Sequence, residues 1–405
     1  MSNQNLLVEL FVEELPPKAL KKLGESFATL LADNLKSQGL ASADTAITSF
    51  ASPRRLAVHV ANVAAKSADK SVSQKLMPVA VGLDANGQAT PALLKKLASL
   101  GADANVVSQL KRQPDGKAEV LFYDSLQAGV PLAEGLQKAL SETIAKLPIP
   151  KVMGYQLADG WATVSFVRPA HKLVALHGAD VVAINVLGLS AGRETLGHRF
   201  EAKINPVVIR DADSYATQLR DEGAVIASFA ERRAEIVRQL TTAAAKEGLK
   251  PIEDEALLDE VTALVERPNV LRGQFESEFL EVPQECLILT MKANQKYFPL
   301  LDSAGKLTNK FLIVSNISPA DPSAVIGGNE RVVRPRLADA KFFFDQDRKK
   351  PLESRCEGLK KVIYLNKFGE QGDMFSRVER VCAIAQAIAT KLSVDLAAVE
   401  TAAKL

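Results

Sequence analysis

The first sixty-odd residues alternate between extended and helical patterns of hydrophobic positions. Residues 6–12 form a nearly continuous apolar run, which predicts a strand. The Pro16-Pro17 pair suits the start of a helix ending near Ser37, because proline is tolerated where the first helical N–H groups have no partner. Residues 47–50 and 56–63 are rich in β-branched side chains and predict two more strands. The pattern therefore predicts a β-α-β-β unit.

The next stretch predicts a linker and a second α/β piece. Residues 66–75 are polar and poor in apolar side chains, as is typical of a linker. Thr90-Pro91 has the composition of a helix start. Residues 119–123 then predict a strand and residues 132–146 a helix.

The remainder of the chain predicts a mixture of strands and helices. β-Branched residues between 162 and 200 indicate a run of strands. Helical periodicity follows near 211–220, 222–247 and 253–266, and strands are predicted around 269–275, 297–301 and 310–316. Residues 370–405 are alanine-rich and helical, with an apolar stripe formed by Ala385, Ile388, Ala389, Leu392, Leu396 and Val399.

These patterns predict an α+β multidomain protein. Mixed α/β modules with antiparallel sheets are expected to precede the start of an all-helical domain. The predicted domains are residues 1–65, 66–150, 151–345 and 346–405. The last helix has no capping signal at its end, which favours a truncated chain. We therefore expect residues 370–405 to be the least stable part of the chain.

The segment 328–344 places three arginines and a lysine beside aromatic residues. Pro335 suits the first position of a helix, so the sequence predicts a turn that carries Arg331, Arg334 and Arg336, followed by a helix over 337–347. Guanidinium groups at a helix start are typical of phosphate recognition. Alternatively, the arginines pair with Glu330, Asp339 and Asp345 on a solvated surface. The predicted core face consists of Leu337, Ala340, Phe343 and Phe344.

Several blocks along the chain are together similar to the β subunit of the bacterial heterotetrameric glycyl-tRNA synthetase. Besides the arginine segment, the resemblance rests on Glu13-Glu14-Leu15-Pro16-Pro17-Lys18-Ala19-Leu20, Pro53-Arg54-Arg55-Leu56-Ala57, Leu147-Pro148-Ile149-Pro150-Lys151, Phe166-Val167-Arg168-Pro169, Gly197-His198-Arg199-Phe200, Gln295-Lys296-Tyr297-Phe298-Pro299, Ser315-Asn316-Ile317 and Asp347-Arg348-Lys349-Lys350. No single block is a catalytic motif. Their order over the whole chain makes the resemblance specific.

The resemblance implies a tRNA-binding subunit of a cytoplasmic aminoacyl-tRNA synthetase. Two α and two β chains would join glycine to tRNA(Gly), with ATP and Mg²⁺ used through the α subunit and no cofactor bound by this chain. Two alternatives stay open: a stand-alone hydrolase acting on mischarged tRNA, and a structural scaffold that never contacts RNA. The resemblance also allows an editing-type module within residues 150–345.

Composition and net charge limit the kind of RNA-binding surface that this chain can have. The chain has 405 residues, 47% hydrophobic and 24% charged, which is ordinary globular usage. Its formal net charge is only +2. An RNA-binding surface must therefore be a local basic patch.

Cysteine usage and the N-terminal sequence favour a cytosolic protein. Cys286, Cys356 and Cys382 show no Cys-x-x-Cys spacing, which argues against a zinc site. The N-terminus has no basic region, and no window of eighteen apolar residues is free of charge, so neither a signal peptide nor a membrane span is predicted.

A search for catalytic motifs finds none, and we predict no catalytic residue and no metal ligand in this chain. There is no phosphate-binding glycine loop, and no two of the four histidines have the spacing of a helical metal pair. Asp345 and Asp347 have carboxylate spacing, but the neighbouring Arg348, Lys349 and Lys350 favour a self-paired helix end.

Two basic pairs are further candidates for RNA contact. His198 and Arg199 follow Gly197 and could present an imidazole and a guanidinium to RNA from a turn. The alternative is a surface turn whose polar groups are already satisfied. Arg54 and Arg55 could contact a phosphate, although in a β-rich segment one of them is expected to point toward a neighbouring layer and form a structural ion pair.

Lys292 and Lys296 lie close to Tyr297 in the sequence, a combination of basic and aromatic residues typical of an RNA-stacking surface. The alternative is that Tyr297 belongs to the core of a strand.

Overall fold

The computed structural model describes residues 3–84, 86–115, 118–367 and 369–405. The chain forms two compact units. The first comprises Met1–Gln239, Asp254–Val270 and Val314–Pro319, and the second comprises Leu240–Glu253, Leu271–Ile313 and Ala320–Leu405.

Strands and helices alternate irregularly along the chain. The strands are β1 (Gln4–Val12), β2 (Ile47–Ser52), β3 (Arg55–Val63), β4 (Lys70–Pro78), β5 (Lys111–Asp115), β6 (Ala118–Gln127), β7 (Met153–Gln156), β8 (Thr163–Phe166), β9 (Ala170–His177), β10 (Asp180–Val181), β11 (Asn185–Val186), β12 (Leu189–Gly192), β13 (Glu194–Thr195), β14 (Val207–Val208), β15 (Lys250–Pro251), β16 (Asn269–Gln274), β17 (Phe298–Leu301) and β18 (Leu307–Ser315). The α-helices are α1 (Pro17–Ser37), α2 (Val79–Gly82), α3 (Pro91–Ser99), α4 (Leu132–Lys146), α5 (Tyr215–Asp221), α6 (Phe229–Lys246), α7 (Glu255–Thr262), α8 (Gln284–Gln295), α9 (Ser323–Asp347), α10 (Met374–Leu392) and α11 (Leu396–Lys404). Short 3₁₀ helices occupy Ala104–Gln109, Ser277–Glu281, Leu352–Lys361 and Gly369–Gln371.

The largest sheet of the first unit has the strand order β11-β12-β9-β1-β3-β2, and β10 also pairs with β9. β1 lies at its centre, antiparallel to both neighbours, with Val8 opposite Val58 of β3 and Ala175 of β9. Side chains alternate along a strand, so Leu7, Glu9 and Phe11 share one face of β1. That face carries the charged residues described below.

Helix α1 covers the opposite face of this sheet. Its first residue is Pro17, which confirms the predicted start, and it ends at Ser37 as predicted. Leu20, Leu23, Phe27 and Leu31 recur every three or four residues and are fully buried. Burial of such side chains stabilises the layer by about 1.5–3 kcal/mol each. The predicted β-α-β-β unit is therefore confirmed.

The predicted linker is wrong over part of its length. Residues 70–75 belong to β4, which pairs antiparallel with β6 in the order β4-β6-β5. Most of β4 is at least partly exposed, so its polar composition concealed a strand. The other elements predicted here, a helix after Thr90, a strand around 119–123 and a helix over 132–146, are confirmed by α3, β6 and α4.

The predicted strands between 162 and 200 and the three helical patterns after them are confirmed, although the helices begin later than their patterns do. α5 begins at Tyr215 and α6 at Phe229. In the second unit, the strands predicted near 297–301 and 310–316 correspond to β17 and β18 in a sheet of order β15-β17-β18-β16.

Helix α9 corrects the prediction of a turn in the arginine segment. It runs from Ser323 to Asp347 with Pro335 in its interior. An interior proline removes a hydrogen bond and costs about 3 kcal/mol. Val333 and Leu337, on either side of it, are fully buried in the second-unit core. Their burial, at about 1.5–3 kcal/mol per side chain, offsets that loss, so the helix continues through the proline.

The observed architecture confirms the predicted α+β class with several small antiparallel sheets. The four-domain division made from the sequence stays a prediction. Among the described helices, none is both long enough and apolar enough to cross a membrane.

Candidate functional site

The two arginines after Pro53 lie in the interior of the first unit. Arg54 is 5% exposed and Arg55 is fully buried. The Oε2 atom of Glu266 lies 2.6 Å from Nη2 of Arg54, and its Oε1 atom lies 3.1 Å from Nη1 of Arg55. Structural ion pairing, expected for one of the two arginines, is therefore confirmed for both.

A second buried carboxylate, Glu9, completes this ion cluster from the centre of β1. Its Oε2 atom lies 3.4 Å from Nε of Arg55 and accepts a hydrogen bond from the Tyr215 hydroxyl. Burial alone would lower the pKa of Arg55, but Glu266 and Glu9 raise it above its usual value. Burial and the Glu9 charge raise the pKa of Tyr215 well above its ordinary value. We call Glu9, Arg54, Arg55, Tyr215 and Glu266 the buried ion cluster.

Arg232 of α6 is a fully buried arginine that sequence reasoning did not find. Its guanidinium donates to the carbonyl oxygens of Thr262 at 2.9 Å, Ile226 at 2.6 Å and Ala51 at 2.8 Å. Burial lowers its pKa to about 9, because desolvation disfavours the charged form. Its contacts connect α6 to the end of α7 and to β2, which is a structural role.

The histidine of the Gly197-His198-Arg199 turn is also buried, with 1% of its surface exposed. Its Nδ1 atom accepts hydrogen bonds from the backbone N–H groups of Phe200 and Glu201, both at 3.2 Å. Nε2 therefore carries the proton, and it has no hydrogen-bond partner among the described residues. The prediction that this turn presents the imidazole on the surface is wrong.

Arg199 lies at the rim of a cleft of about 430 Å³ in the first unit. Two other rim residues, Glu13 and His171, lie just after β1 and near the start of β9. The carboxylate of Glu13 lies 2.8 Å from Nε2 of His171 and 3.1 Å from Nη2 of Arg199. Burial opposes ionisation, but His171 and Arg199 hold the pKa of Glu13 below its usual value. The remaining lining residues are Phe11, Val12, Arg54, Leu196, Gly197 and Asn205.

The described lining of this cleft offers no hydroxyl or thiol nucleophile. None of the lining residues is Ser, Thr or Cys. The glycine at its wall has a packing reason, since a Cβ on Gly197 would approach the Gly223 carbonyl oxygen to 2.7 Å. Arg54 contributes a guanidinium whose charge is already matched by Glu266.

The arginine segment on α9 is exposed, in contrast to the first pair. Arg331, Arg334 and Arg336 all lie at the surface of the second unit. Arg334 forms an ion pair with Glu276 at 2.6 Å. Within the described part of the chain, Arg331 and Arg336 have no carboxylate partner. Arg334 is therefore paired, but with Glu276 and not with Glu330, Asp339 or Asp345, the partners that the alternative named.

Two aromatic residues accompany these arginines on the surface of α9. Phe342 and Phe343 are 57% and 63% exposed, and their ring centroids lie 5.5 Å apart. The prediction that Phe343 belongs to the core face is wrong, while Leu337 is fully buried and Phe344 packs against the core. Exposed aromatic rings beside free guanidinium groups are typical of surfaces that bind unpaired nucleotides.

Tyr297 belongs to the core of the second unit, which was the alternative to an RNA-stacking role. It is 3% exposed, its ring stacks on Phe311 with centroids 4.7 Å apart, and its hydroxyl donates to Oδ1 of Asn329 at 2.7 Å. Burial raises its pKa to about 12. Lys292 lies in the last turn of α8, and Lys296 caps that helix in the left-handed conformation, with φ of 58°.

A comparison with known proteins identifies the family. A family model described as "Glycyl-tRNA synthetase beta subunit" matches residues 6–405. The chain belongs to this family. The glycine–tRNA ligase beta subunit of Janthinobacterium sp. is 72% identical over 407 residues, covering 100% of this chain and 58% of that protein. That of Leptothrix cholodnii is 76% identical over 392 residues, covering 97% of this chain and 55% of that protein. The chain spans little more than half the length of these curated relatives.

In this member of the glycyl-tRNA synthetase beta subunit family, sequence reasoning missed most of the buried ion cluster. Glu9 carried the clearest indication, since a carboxylate inside an apolar strand must find a partner. Glu266 and Tyr215 had no local pattern to distinguish them.

The described residues contain no group of three or more His, Cys, Asp or Glu that could hold a metal ion. Asp345 and Asp347 pair with Lys341 and Arg355, respectively.

Proposed function

We propose that this chain is the tRNA-binding part of the β subunit of a bacterial-type glycine–tRNA ligase. The complete assembly would contain two α and two β chains and would attach glycine to tRNA(Gly) in the cytoplasm, using ATP and Mg²⁺ through the α subunit. The family match over residues 6–405 carries this proposal. The first-unit cleft gives no support to a hydrolase, because its described lining holds no hydroxyl or thiol nucleophile.

Within this proposal, the exposed side of α9 is the surface that contacts RNA. A polyanion is attracted by guanidinium groups that are not already neutralised, and Arg331 and Arg336 meet that condition among the described residues. Arg334 is bound to Glu276, but both side chains are about half exposed. Such pairs contribute about 0–1 kcal/mol, so a phosphate can replace the carboxylate.

The proposed RNA surface is tested by alanine substitutions in the full-length β chain within the assembled enzyme. Arg331→Ala and Arg336→Ala should each weaken tRNA binding by about 1–3 kcal/mol, and each should reduce the slope of log K against log salt by about 0.7–0.9. The melting temperature should not change, because neither side chain is buried or paired in the described structure.

Arg238→Ala is the matched control. Arg238 is an exposed helical arginine on α6 that pairs with Glu235 at 2.6 Å, and its removal changes the net charge by the same amount. If Arg331→Ala and Arg238→Ala have equal effects on tRNA affinity and salt slope, then α9 is not the RNA surface. Unchanged affinity together with a lowered melting temperature would instead assign the α9 arginines a structural role.

A further inference from the structure

The exposed side of α9 carries two phenylalanine rings in addition to its arginines. Phe342 and Phe343 are each more than half exposed, and the planes of their rings meet at 74°. They lie outside the stripe that packs against the second-unit core, in which Val333 and Leu337 are fully buried and Phe344 is partly buried. Aromatic side chains normally bury most of their area, so two adjacent rings held in solvent indicate a binding surface.

Helix geometry places each unpaired arginine on the same face of α9 as one of the rings. Arg331 and Phe342 are eleven residues apart, close to three turns, so they are separated by about 16 Å along the helix axis. Arg336 and Phe343 are seven residues apart, close to two turns, which separates them by about 10 Å. Each face therefore carries a guanidinium group at one end and an aromatic ring at the other.

Cations lie beyond the rings as well as before them. Lys349 and Lys350 follow the end of α9 and are exposed. Lys349 donates a hydrogen bond to the neutral side-chain oxygen of Gln346 at 3.1 Å, and within the described residues neither lysine has a carboxylate partner. A nucleotide chain that crosses the rings would therefore meet a cation on either side of the stacked bases.

The carboxylates of α9 limit where a phosphate can lie. Asp345 is paired with Lys341 at 3.3 Å. Asp339 is exposed, has no ion-pair partner among the described residues, and lies between Arg336 and Phe343 on their shared face. A phosphate beside Asp339 would be repelled, whereas an uncharged base would not. Asp339 therefore separates the phosphate-binding end of this face from its aromatic end.

This combination of groups fits unpaired nucleotides better than an RNA stem. In a stem the faces of the bases are covered by their neighbours, and proteins contact phosphates and 2′-hydroxyl groups, to which a phenylalanine ring cannot hydrogen-bond. An unpaired base has a free face that can stack on a ring while its phosphates reach the guanidinium groups. A protein partner would have to supply a carboxylate for each unpaired arginine as well as an apolar contact for the rings. The charge of the surface therefore favours RNA.

We propose that the exposed side of α9 binds an unpaired segment of the tRNA. Bases of that segment stack on Phe342 and Phe343, and the flanking phosphates bind Arg331 and Arg336. This inference rests on the proposed function, because it assumes that the chain binds tRNA. The rings, and not the arginines alone, then determine the affinity for RNA.

Substitutions of the rings in the full-length β chain of the assembled enzyme test the stacking. Phe342→Ala and Phe343→Ala should each weaken the binding of tRNA(Gly) about 5-fold or more, because the loss of one base stack costs about 1–3 kcal/mol. The slope of log K against log salt should stay unchanged, since phenylalanine carries no charge, whereas Arg331→Ala should reduce it. Phe343→Leu should bind as weakly as Phe343→Ala, because leucine is apolar but has no ring.

Phe200→Ala is the matched control for these substitutions. Phe200 is 81% exposed on the first unit, next to Arg199, whose guanidinium group is already paired with Glu13 at 3.1 Å. Its removal takes away the same exposed ring without a free cation beside it, and it should leave the affinity for tRNA(Gly) unchanged.

Photo-crosslinking identifies what lies on the rings. The full-length β chain with p-benzoylphenylalanine at position 343, assembled with the α subunit, should crosslink to tRNA(Gly) on irradiation. Stops in reverse transcription of the crosslinked tRNA should map to unpaired nucleotides. This measurement does not depend on a loss of affinity.

The other outcomes overturn the inference in distinguishable ways. If the ring substitutions have no more effect than Phe200→Ala while Arg331→Ala weakens binding, the bases do not stack on α9, although α9 remains the RNA surface. Crosslinks to paired nucleotides would assign the surface to a stem, and crosslinks to protein alone would show that a protein segment covers the rings. If the unsubstituted enzyme does not bind tRNA(Gly), the proposed function itself is wrong.

Discussion

Glu266→Gln is the substitution that should destabilise the first unit most clearly. The Glu266 carboxylate accepts hydrogen bonds from Nε and Nη2 of Arg54 at 3.2 and 2.6 Å and from Nη1 of Arg55 at 3.1 Å. The amide keeps the shape of the side chain but removes the negative charge. Two buried guanidinium groups would then share only Glu9 as a counter-charge.

The expected magnitude follows from the burial of this cluster. Removing one partner of a buried ion pair typically costs about 3–5 kcal/mol, because the remaining charge stays desolvated. For a unit of this size, 1 kcal/mol shifts the melting temperature by about 2–4 °C. Glu266→Gln should therefore lower the melting temperature of the first unit by about 6–20 °C.

Glu13→Gln provides a matched comparison on the surface of the same unit. Glu13 also lies between two cationic side chains, at 2.8 Å from His171 and 3.1 Å from Arg199, but it is 40% exposed. Exposed pairs contribute about 0–1 kcal/mol, so this variant should lose less than about 4 °C. The two variants differ mainly in whether the cationic partners of the substituted glutamate are buried or exposed to water.

Differential scanning calorimetry measures the two melting temperatures, and amide hydrogen exchange of β1 and β3 assigns the loss to the first unit. Equal melting temperatures for Glu266→Gln and Glu13→Gln would refute the reasoning, because the buried cluster would then contribute no more than an exposed pair. A loss of protection confined to the second unit would refute it as well.

Three further predictions concern pH, activity and local stability. Burial opposes ionisation of Glu266, but Arg55 and Arg54 lower its pKa below the usual 4.5. The contribution of the Glu266 carboxylate to folding stability should therefore be present above about pH 4.5 and lost as the pH falls through the lower folded-state pKa. Thermal melts at acid pH should show this loss in the unsubstituted chain and a weaker loss in Glu266→Gln. The isolated chain should not catalyse glycine-dependent ATP–pyrophosphate exchange, and turnover at stoichiometric enzyme would contradict the assignment of adenylate formation to the α subunit. Amide exchange should be faster in α10 than in β18, because Ile384, Ile388 and Leu392 of α10 are 53–67% exposed; equal protection in a verified monomer would contradict this.

Local patterns in the sequence determined most of the secondary structure. The apolar run over 6–12 and the prolines at the start of α1 depend only on neighbouring residues, and both elements were found where predicted. β4 was missed because its polar surface resembles a linker until its partner β6 is present. The blocks of family resemblance, spread in order along the chain, were enough to indicate the family from the amino-acid sequence alone.

Tertiary structure alone decided which charged residues are available for binding. Arg54, Arg55 and His198 are candidates for RNA contact in the sequence, yet all three are buried, the two arginines by partners such as Glu266, which lies 211 residues from Arg55 along the chain. In α9 the local rule for Pro335 predicted a helix start, but burial of Val333 and Leu337 outweighed it. Helix and strand periodicity is a short-range property of the chain, whereas desolvation and ion pairing depend on residues that only folding brings together.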